Sequence, residues 1–299
     1  MNVLIWFKRD LRIHDHAALV LAADMARDMG GGVLPLYIAE PDLWAQPDAS
    51  ARQWEAVAEA LGELRADLAA LGAPLILRTG GAVEVISRLC QRARATHIVS
   101  HMETGTGPSY ARDRAVAAWA RGAGISWREV AGSGVRARAC AGGRAGQARA
   151  MPSCRGRMLT PAPAALRAVD GVEAGQIPTA RALRLGDDPC AHRQNGGRSA
   201  GLAALESFLA LRGAGYASGI SSPLTAERSC ARISPHLAVG SLSLREVSHA
   251  VTARRAQARG PWARSLAAFD SRLAWRDHFI QKLEDQPDLD AGCDATRIR

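Results

Sequence analysis

Short apolar runs alternate with amphipathic segments over the first 130 residues of the chain. The runs have the length and composition of buried strands, whereas the segments between them place apolar residues at helical spacing. Strands that alternate with helices in this way form a parallel sheet covered on both faces. The pattern therefore predicts an α/β fold, a doubly wound, Rossmann-like parallel five-stranded sheet. The predicted strands are Val3–Phe7, Val33–Ile38, Pro74–Arg78, His97–His101 and Ile125–Val130.

The clearest helical pattern lies between the second and third predicted strands. Ser50, which follows Pro47 and Asp48, is a good N-cap residue, and Gly72 marks the end of the pattern. The apolar residues in between recur at i, i+3, i+4 and i+7, which predicts one buried face. They are Trp54, Val57, Ala58, Leu61, Leu64, Leu68 and Leu71.

A dense run of ionisable residues follows the first predicted strand directly. Seven charged or titratable side chains lie between Lys8 and His16, in the sequence KRDLRIHDH. Ligands of doubly wound folds bind beyond the carboxyl ends of the strands, so ligand contact is one interpretation. The run holds no glycine and is therefore not a phosphate loop. The interpretation we favour is an arginine–aspartate network that braces this edge against a second domain.

The composition changes after residue 130. Residues 131–157 are mostly Ala, Gly and Arg, and a Pro-rich stretch follows, which together predict a linker over 131–198. Helical patterns return from residue 199 and continue to residue 285, beginning with Ser199 as a plausible N-cap. We therefore divide the chain into an α/β domain at 1–130, a partly atypical linker at 131–198 and a helical region at 199–299.

The net charge of the chain is +9, which by itself suggests an anionic partner such as nucleic acid. Its distribution weakens that argument. The segment between Val130 and Val169 holds seven arginines and no acid, so without it the balance falls from 38 − 29 = +9 to 31 − 29 = +2. The folded parts are therefore close to neutral.

No apolar run reaches membrane-spanning length, and the start of the chain has no charged segment before an apolar one. We therefore expect a cytoplasmic protein without membrane association, most simply a monomer. The six cysteines are scattered without CxxC spacing, which favours free thiols over disulfides or a zinc site. Four histidines of the α/β domain likewise show no spacing typical of a metal site: His14, His16, His97 and His101.

Three stretches, in the same order along the chain, resemble the signatures of the photolyase/cryptochrome family. WFKRDLRIHDHAAL, from Trp6, is similar to that family's N-terminal signature. GISSPLTAERSCARISPHLAVGSLSLREV, from Gly219, resembles its flavin-binding signature, and LAWRDHFIQKLEDQP, from Leu273, resembles its Trp-Arg-Glu-Phe segment. The resemblance covers roughly residues 1–130 and 160–287.

This resemblance implies an α/β domain that often holds an antenna chromophore, followed by an all-α FAD-binding domain. The antenna would be of pterin, folate or flavin type. The implied reaction is light-driven repair of pyrimidine dimers in damaged DNA, in which reduced, photoexcited FAD donates an electron that later returns. The damaged dinucleotide would be flipped out of the duplex.

The resemblance also implies roles for individual residues. Tyr216 matches the tyrosine that precedes the flavin loop. The segment that wraps the FAD phosphates matches Cys230, Ala231, Arg232, Ile233 and Ser234. Two hydroxyl donors of the family pattern are lost at Cys230 and Ala231, whereas the guanidinium and the last hydroxyl remain.

In the third segment, Trp275 and Arg276 align with the family's Trp-Arg, and we expect them near the lesion or the DNA. Arg272 stands where dimer-repairing members carry a glutamate, and Ile220 replaces an arginine that contacts the DNA backbone. These departures put the usual dimer pocket in doubt. In the α/β domain, Glu103 is the candidate contact of the antenna chromophore.

The resemblance further implies a flavin domain that continues past Arg299. We therefore expect an incomplete helical domain that retains flavin weakly, with the catalytic groups unassigned. The acid-free residues 131–157 suggest that the chain is a fragment or a frameshifted product. Two alternatives stay open: a cryptochrome-type blue-light receptor without repair, and a nucleotide-binding remnant without photochemistry.

Overall fold

The N-terminal half of the chain forms a five-stranded sheet, all parallel, in the order β3-β2-β1-β4-β5. The structure is a computed structural model that describes residues 1–132, 158–286 and 289. The order reverses direction between β1 and β4, as in other doubly wound sheets, and this confirms the predicted fold class. The strands are β1 (Asn2–Phe7), β2 (Val33–Ala39), β3 (Ile76–Thr79), β4 (Ala95–His101) and β5 (Ser126–Val130).

Helices cover both faces of the sheet. In the longest helix of this domain, Ser50 is the N-cap and accepts a hydrogen bond from the amide of Gln53, as its position in the sequence indicates. The predicted apolar stripe of this helix packs into the core beneath β1 and β2. The helices are α1 (Ala17–Asp28), α2 (Pro41–Trp44), α3 (Ala51–Ala70), α4 (Ala82–Ala93) and α5 (Gly107–Gly122).

The central strand β1 is buried on both faces, which is why it reads as a continuous apolar run. Val3, Ile5 and Phe7 join the core formed with α1 and α3. Leu4 and Trp6 join the second core, formed with α4 and α5. The strand is therefore rigid, and the polar residues that follow it start from a fixed position.

Residues 158–196, within the predicted linker, pack along the α/β domain. The amide of Leu166 donates to the carbonyl of Leu71 at 2.6 Å, and Ala168 forms a parallel bridge with Val33. The indole of Trp54 donates to the carbonyl of Pro178 at 2.8 Å. This stretch therefore adds to the core of the first domain. The acid-free segment lies, apart from residues 131–132, outside the described residues, as do 290–299.

The second half of the described chain is helical. Its elements are α6 (Gly197–Ala210), a 3-10 turn (Arg212–Gly215), α7 (Tyr216–Gly219), α8 (Pro223–Ser229), α9 (Ser234–Val239), α10 (Leu244–Gln257) and α11 (Pro261–Asp285). Phe208, Val247 and Leu266 are among the side chains at the centre of their common core. Helix α10 begins with a capping box, in which Ser243 and Glu246 satisfy each other's backbone amides.

The start of α6 is held by a carboxylate of the α/β domain. Glu63 on α3 accepts hydrogen bonds from the amide of Arg198 and from the amide and hydroxyl of Ser199. The first amides of a helix have no partner within it, and a carboxylate there also interacts favourably with the helix dipole. The helical region is thus attached to the first domain at its first turn.

Candidate functional site

The turn after β1 is organised around the carboxylate of Asp10. One oxygen, Oδ1, accepts a hydrogen bond from the amide of Lys8 at 2.8 Å, which tightens the turn. The other, Oδ2, lies 2.8 Å from Nδ1 of His101 and 2.9 Å from Nε2 of His16. His101 is the last residue of β4, so this contact joins the carboxyl ends of the two neighbouring strands.

Arg12 and Asp15 cross from this turn to the helical region. The guanidinium of Arg12 donates to the carbonyl of Gly240 at 2.8 Å, and its other bonds go to local carbonyls. Asp15 accepts a hydrogen bond from the hydroxyl of Ser243 at 2.6 Å and pairs with Arg245. The expected arginine–aspartate brace between the two domains is therefore present at these two positions.

The brace requires a close approach of the two backbones. Gly240, at the end of α9, has a φ of +74° and lies directly against the backbone of Arg9 and Asp10. A Cβ at this position would collide with the carbonyl of Arg9. Only glycine meets both demands, the left-handed conformation and the close contact.

Asp10, His16 and His101 form a buried cluster that the sequence analysis missed. Their donor atoms lie within 4.8 Å of one another, although the histidines showed no metal-type spacing along the chain. His16 precedes α1 and His101 ends β4, so only the strand order brings them together. Two histidines and one carboxylate are a common ligand set for transition metals, which makes the protonation of the rings decisive.

Backbone amides determine which ring nitrogens carry the protons. Nδ1 of His16 accepts from the amide of Leu19 at 2.9 Å, and Nε2 of His101 accepts from the amide of Ala18 at 3.4 Å. In the neutral rings the proton therefore resides on the nitrogens that face Asp10. A metal at these nitrogens would need each ring in its other tautomer, with an N–H directed at a backbone amide that is itself a donor, so the ring contacts favour a hydrogen-bonded network over a metal site.

Burial governs the charge of this network. It lowers the pKa of His16 to about 4, because the fully buried ring cannot be solvated as a cation. Burial alone would raise the pKa of Asp10, but the contacts with the two imidazoles hold that pKa well below its usual range. At neutral pH the carboxylate of Asp10 is thus ionised beside an uncharged His16 ring.

A second polar cluster lies beside the first, around the guanidinium of Arg112 on α5. It donates to Glu40 at 3.0 Å, to Glu103 at 2.7 Å and to Asp113 at 2.8 Å. The guanidinium carbon also lies over the ring of Trp6, 4.9 Å from the ring centroid. One cation is therefore shared by three carboxylates at the carboxyl edge of the sheet.

The three carboxylates do not share that cation equally. The pKa of Glu40 is raised to about 7 by burial, and the neighbouring Glu103 and Asp113 add to the rise. The pKa of Glu103 is lowered, since the cations around it outweigh its own burial. Glu40 is thus the member of the cluster that exchanges a proton near neutral pH.

A cavity of about 550 Å³ opens above this cluster, between the sheet edge and α9. Its polar wall includes Glu40, Glu103 and Arg112, and its apolar wall includes Trp6 and Trp44. Aromatic walls with a few convergent polar groups are typical of sites for planar organic ligands. The candidate antenna contact Glu103 therefore lines a cavity of suitable size and chemistry.

The residues aligned with the flavin signature divide into two groups. Tyr216, Ala231 and Ile233 are buried in the helical core, where the Tyr216 ring packs against Phe208 and Phe269. Ser234 is exposed, whereas Arg232 and Cys230 are half-buried.

The turn at Arg232 has a backbone suited to anions. Arg232 adopts a left-handed conformation, with a φ of +59°, and Ile233 returns to the right-handed region. Such an alternation points successive amides to one side and forms an anion-binding concavity. Among the described residues, no partner is present for the amides of Ala231, Arg232 and Ile233. The guanidinium of Arg232 is a third exposed and pairs with Glu227 at 2.8 Å.

The residues aligned with the third signature point in different directions. Arg272 and Trp275 are exposed on α11, with the guanidinium 5.0 Å from the centroid of the indole ring. Arg276 instead turns inward and donates to the carbonyl of Leu237 at 3.1 Å. The structure thus places Trp275 and Arg276 on two different surfaces, although they are adjacent in sequence.

Within the described residues, no helix combines the length and the apolar character needed to cross a bilayer. The three cysteines among those residues, Cys90, Cys190 and Cys230, are free thiols.

Comparison with known proteins gives one consistent result. The family model described as DNA photolyase matches residues 3–139. The deoxyribodipyrimidine photo-lyase of Escherichia coli (strain K12) is 38% identical over 99 residues, which is 32% of this chain and 20% of that protein. The cryptochrome DASH of Natronomonas pharaonis is 28% identical over 326 residues, which is 95% of this chain and 62% of that protein.

Solved structures show the same fold over the chain. A class III photolyase from Agrobacterium tumefaciens is 22% identical, with a TM-score of 0.75, over 96% of this chain and 60% of that one. A Synechocystis cryptochrome is 21% identical, with a TM-score of 0.78, over 96% and 62%. The chain thus spans less than two thirds of these relatives. The α/β part of the chain thus matches the DNA photolyase family model, and the chain is similar to photolyases and cryptochromes in sequence and has their fold.

Proposed function

We propose that this chain is a photolyase-like flavoprotein that repairs pyrimidine dimers in damaged DNA by light-driven electron transfer from reduced FAD. The observation that carries the proposal is the turn at Arg232, where free amides and a guanidinium meet within a segment that resembles the family's flavin signature. We also propose a monomer that acts in the cytoplasm. The relatives named photolyase support repair, and those named cryptochrome keep a second function open.

The residues at this turn fit the diphosphate of FAD. The amides of Ala231, Arg232 and Ile233 supply hydrogen-bond donors, and the guanidinium supplies charge. Ser234 adds an exposed hydroxyl next to them. The hydroxyls missing at Cys230 and Ala231 reduce the number of donors, so the backbone carries more of the binding here.

Neighbouring groups keep the turn in its conformation. The guanidinium of Arg212 donates to the carbonyls of Cys230 and Ala231, and Gln194 donates to the carbonyl of Arg232 at 2.8 Å. With those carbonyls engaged, the amides of the turn are left to face a ligand. FAD, when bound, supplies the electron that splits the dimer.

The exposed end of α11 suits an unstacked base. The Trp275 ring is 53% exposed, and Phe279 follows it at a centroid distance of 6.1 Å. Aromatic faces beside an arginine are a common platform for bases of single-stranded or flipped nucleotides. We assign Trp275 and Arg272 to contact with the damaged DNA.

We further propose that the 550 Å³ cavity holds the antenna chromophore. Trp44 would stack on a planar ring, and the carboxylates of Glu40 and Glu103 would accept hydrogen bonds from its N–H groups. This assignment deepens the expectation for Glu103 and adds Glu40, which the sequence analysis did not name. Whether the ring is a pterin, a folate or a flavin is decided by the absorption spectrum of the bound species.

A blue-light receptor without repair is the second candidate function. It is favoured by Arg272, whose cation lies against Trp275 where a repair enzyme of this family would offer a carboxylate. An arginine there would interact with DNA phosphates as well as with bases and would not select a dimer.

The test uses the purified full chain. Its visible spectrum is recorded after incubation with FAD, and dimer content is measured in ultraviolet-damaged DNA before and after illumination. Saturable flavin binding with light-dependent loss of dimers supports repair, whereas flavin binding without loss supports the receptor. A chain that binds no FAD contradicts both and leaves a nucleotide-binding remnant.

A matched pair of variants assigns the binding to the turn. Arg232→Gly keeps the left-handed backbone and removes the guanidinium, because glycine adopts positive φ without strain. It should weaken FAD binding at least about tenfold. Arg255→Gln removes an exposed arginine of α10 that pairs with Asp270, and it should leave FAD binding unchanged. Equal binding in all three proteins would contradict the assignment.

A further inference from the structure

The segment that joins β2 to α3, residues 41–49, forms one wall of the 550 Å³ cavity. The other walls include the carboxyl edge of the sheet, the first turns of α3, and α9. More than half of the segment lines the cavity, namely Leu43, Trp44, Gln46, Asp48 and Ala49. The segment therefore borders the cavity along most of its own length.

Few interactions hold this segment to the rest of the protein. None of its residues is buried. Its backbone hydrogen bonds are local, such as those from the amides of Leu43 and Trp44 to the carbonyl of Glu40. Within the described residues, no hydrogen bond or ion pair joins residues 41–49 to another helix or strand. Segments of this kind separate from a folded domain at a low free energy of opening.

Both ends of the segment are fixed, in contrast to its middle. Ala39 belongs to the central part of the sheet, and the carboxylate of Glu40 is held by Arg112 at 3.0 Å. At the other end, Ser50 is the N-cap of α3 and accepts a backbone hydrogen bond there. Residues 41–49 can therefore move as one flap between two rigid attachments.

One side chain anchors the middle of the flap. The ring of Trp44 packs against the core beneath β1 and β2 and meets Trp54 edge-on, with 4.9 Å between the ring centroids. Trp54 is 1% exposed and is fixed by its hydrogen bond to Pro178. Trp44 is only half-buried, and within the described residues its indole N–H has no partner. Trp44 can therefore leave this contact without the loss of a hydrogen bond.

We propose that residues 41–49 are a lid of this cavity, latched by the ring of Trp44 against Trp54. In the closed state Trp44 forms the aromatic wall of the cavity. Release of its ring from Trp54 lets the segment move outward and opens the cavity to solvent. The identity of the ligand beneath the lid rests on the proposed antenna function, whereas the lid itself does not.

Hydrogen exchange of the full chain, measured by mass spectrometry without added ligand, tests the lid. The hydrogen-bonded amides of residues 41–49 should exchange together, and faster than those of α4, a helix of the same domain that does not border the cavity. Exchange as slow as that of α4 would mean that the segment does not open, and the proposal would be overturned.

A matched pair of variants tests the latch. Trp44→Ala should speed exchange of the segment at least about threefold, after correction for intrinsic rates, because it removes the aromatic contact. Exchange of β1 and α4 should stay unchanged. Leu43→Ala is the control, since Leu43 lines the same cavity from the same turn but is not part of the core, and it should exchange like the parent.

Two results of this comparison would refute the latch. One is unchanged exchange of the segment in Trp44→Ala, or the same increase in both variants. The other is an increase across the whole domain, which would mean that Trp44 only stabilises the fold.

Biopterin, a planar ring with N–H groups, probes the closed state. Binding in the cavity is recognised by its loss in Glu103→Gln. Such binding should slow exchange of residues 41–49, because the lid closes over the ring, and binding that leaves this exchange unchanged would overturn the proposal. A chain that binds no biopterin counts against a pterin as the antenna chromophore, and the exchange measured without ligand still decides the lid.

Discussion

The carboxylate of Asp15 accepts a 2.6 Å hydrogen bond from the hydroxyl of Ser243, across the interface between the sheet domain and the helical region. The same carboxylate pairs with Arg245 and accepts from the amide of Thr160. Asp15 is 3% exposed and has a φ of +51°, a left-handed conformation that few residue types adopt. One side chain therefore joins three separate parts of the chain.

Asp15→Ala should destabilise the protein by about 2–4 kcal/mol, because it leaves the Ser243 hydroxyl and the Arg245 guanidinium without their buried acceptor. Denaturant unfolding measures the change. Asp28→Ala, at an exposed position, is the control and should change stability by less than about 0.5 kcal/mol. Equal effects of the two substitutions would show that the brace does not stabilise the fold.

Asp10→Ala should lower the melting temperature more than it alters the spectrum of any bound flavin. The carboxylate is buried, 2.8 Å from Nδ1 of His101 and 2.9 Å from Nε2 of His16, so its loss removes the charged partner of both rings. The turn at Arg232 does not contact Asp10. A changed flavin spectrum with an unchanged melting temperature would count against a structural role.

Acid should weaken the fold through His16. Its pKa is about 4 in the folded protein, against about 6.5 in the unfolded chain, so the unfolded state binds more protons between these values. The free energy of unfolding therefore falls as the pH drops, and His16 contributes about 1.5 kcal/mol of loss between pH 6.5 and 5.

The matched variant is His16→Asn, which keeps an acceptor for the amide of Leu19 and cannot titrate. Its unfolding free energy should depend less on pH in this window than that of the parent. Urea denaturation at pH 6.5 and pH 5 measures both slopes, and parallel curves for the two proteins would refute the assignment to His16.

Glu40 should have the opposite pH dependence. Its folded pKa of about 7 lies above the unfolded value of about 4.5, so the folded state holds the extra proton between them. Stability is thus lost as the pH rises from 4.5 to 7, by up to about 3 kcal/mol. Glu40→Gln stays neutral, so its stability relative to the parent should increase from pH 5 to pH 8. A constant difference would contradict this prediction.

Gly240→Ala should cost more than about 2 kcal/mol, since alanine is strained at a φ of +74° and its Cβ meets the backbone of Arg9. Gly62→Ala should have the opposite effect on stability. Gly62 lies within α3 with open space around it, and alanine there should stabilise the helix by about 0.5–1 kcal/mol. Thermal denaturation of both variants tests the pair.

Local patterns were sufficient for the α/β domain. Neighbouring residues predict the five strands, the apolar stripe of α3 and the Ser50 N-cap. They can do so because hydrophobic periodicity and helix capping depend on residues only a few positions apart. The signature residues after β1 also indicated a brace, which Arg12 and Asp15 provide. The sequence determined these features because each depends on short-range physics.

The sites needed the tertiary structure. His16 lies beside His101 because β1 pairs with β4, and Glu40 and Glu103 share Arg112 at the same edge of the sheet. Residue spacing along the chain does not predict either contact. Trp275 and Arg276 are adjacent in sequence and align with the same family segment, but the packing of α11 exposes Trp275 to solvent and turns Arg276 into a cleft. The sequence determines which chemical groups the side chains carry. Their burial and their neighbours depend on packing between distant segments, and these two factors set the protonation state and the solvent exposure of each group.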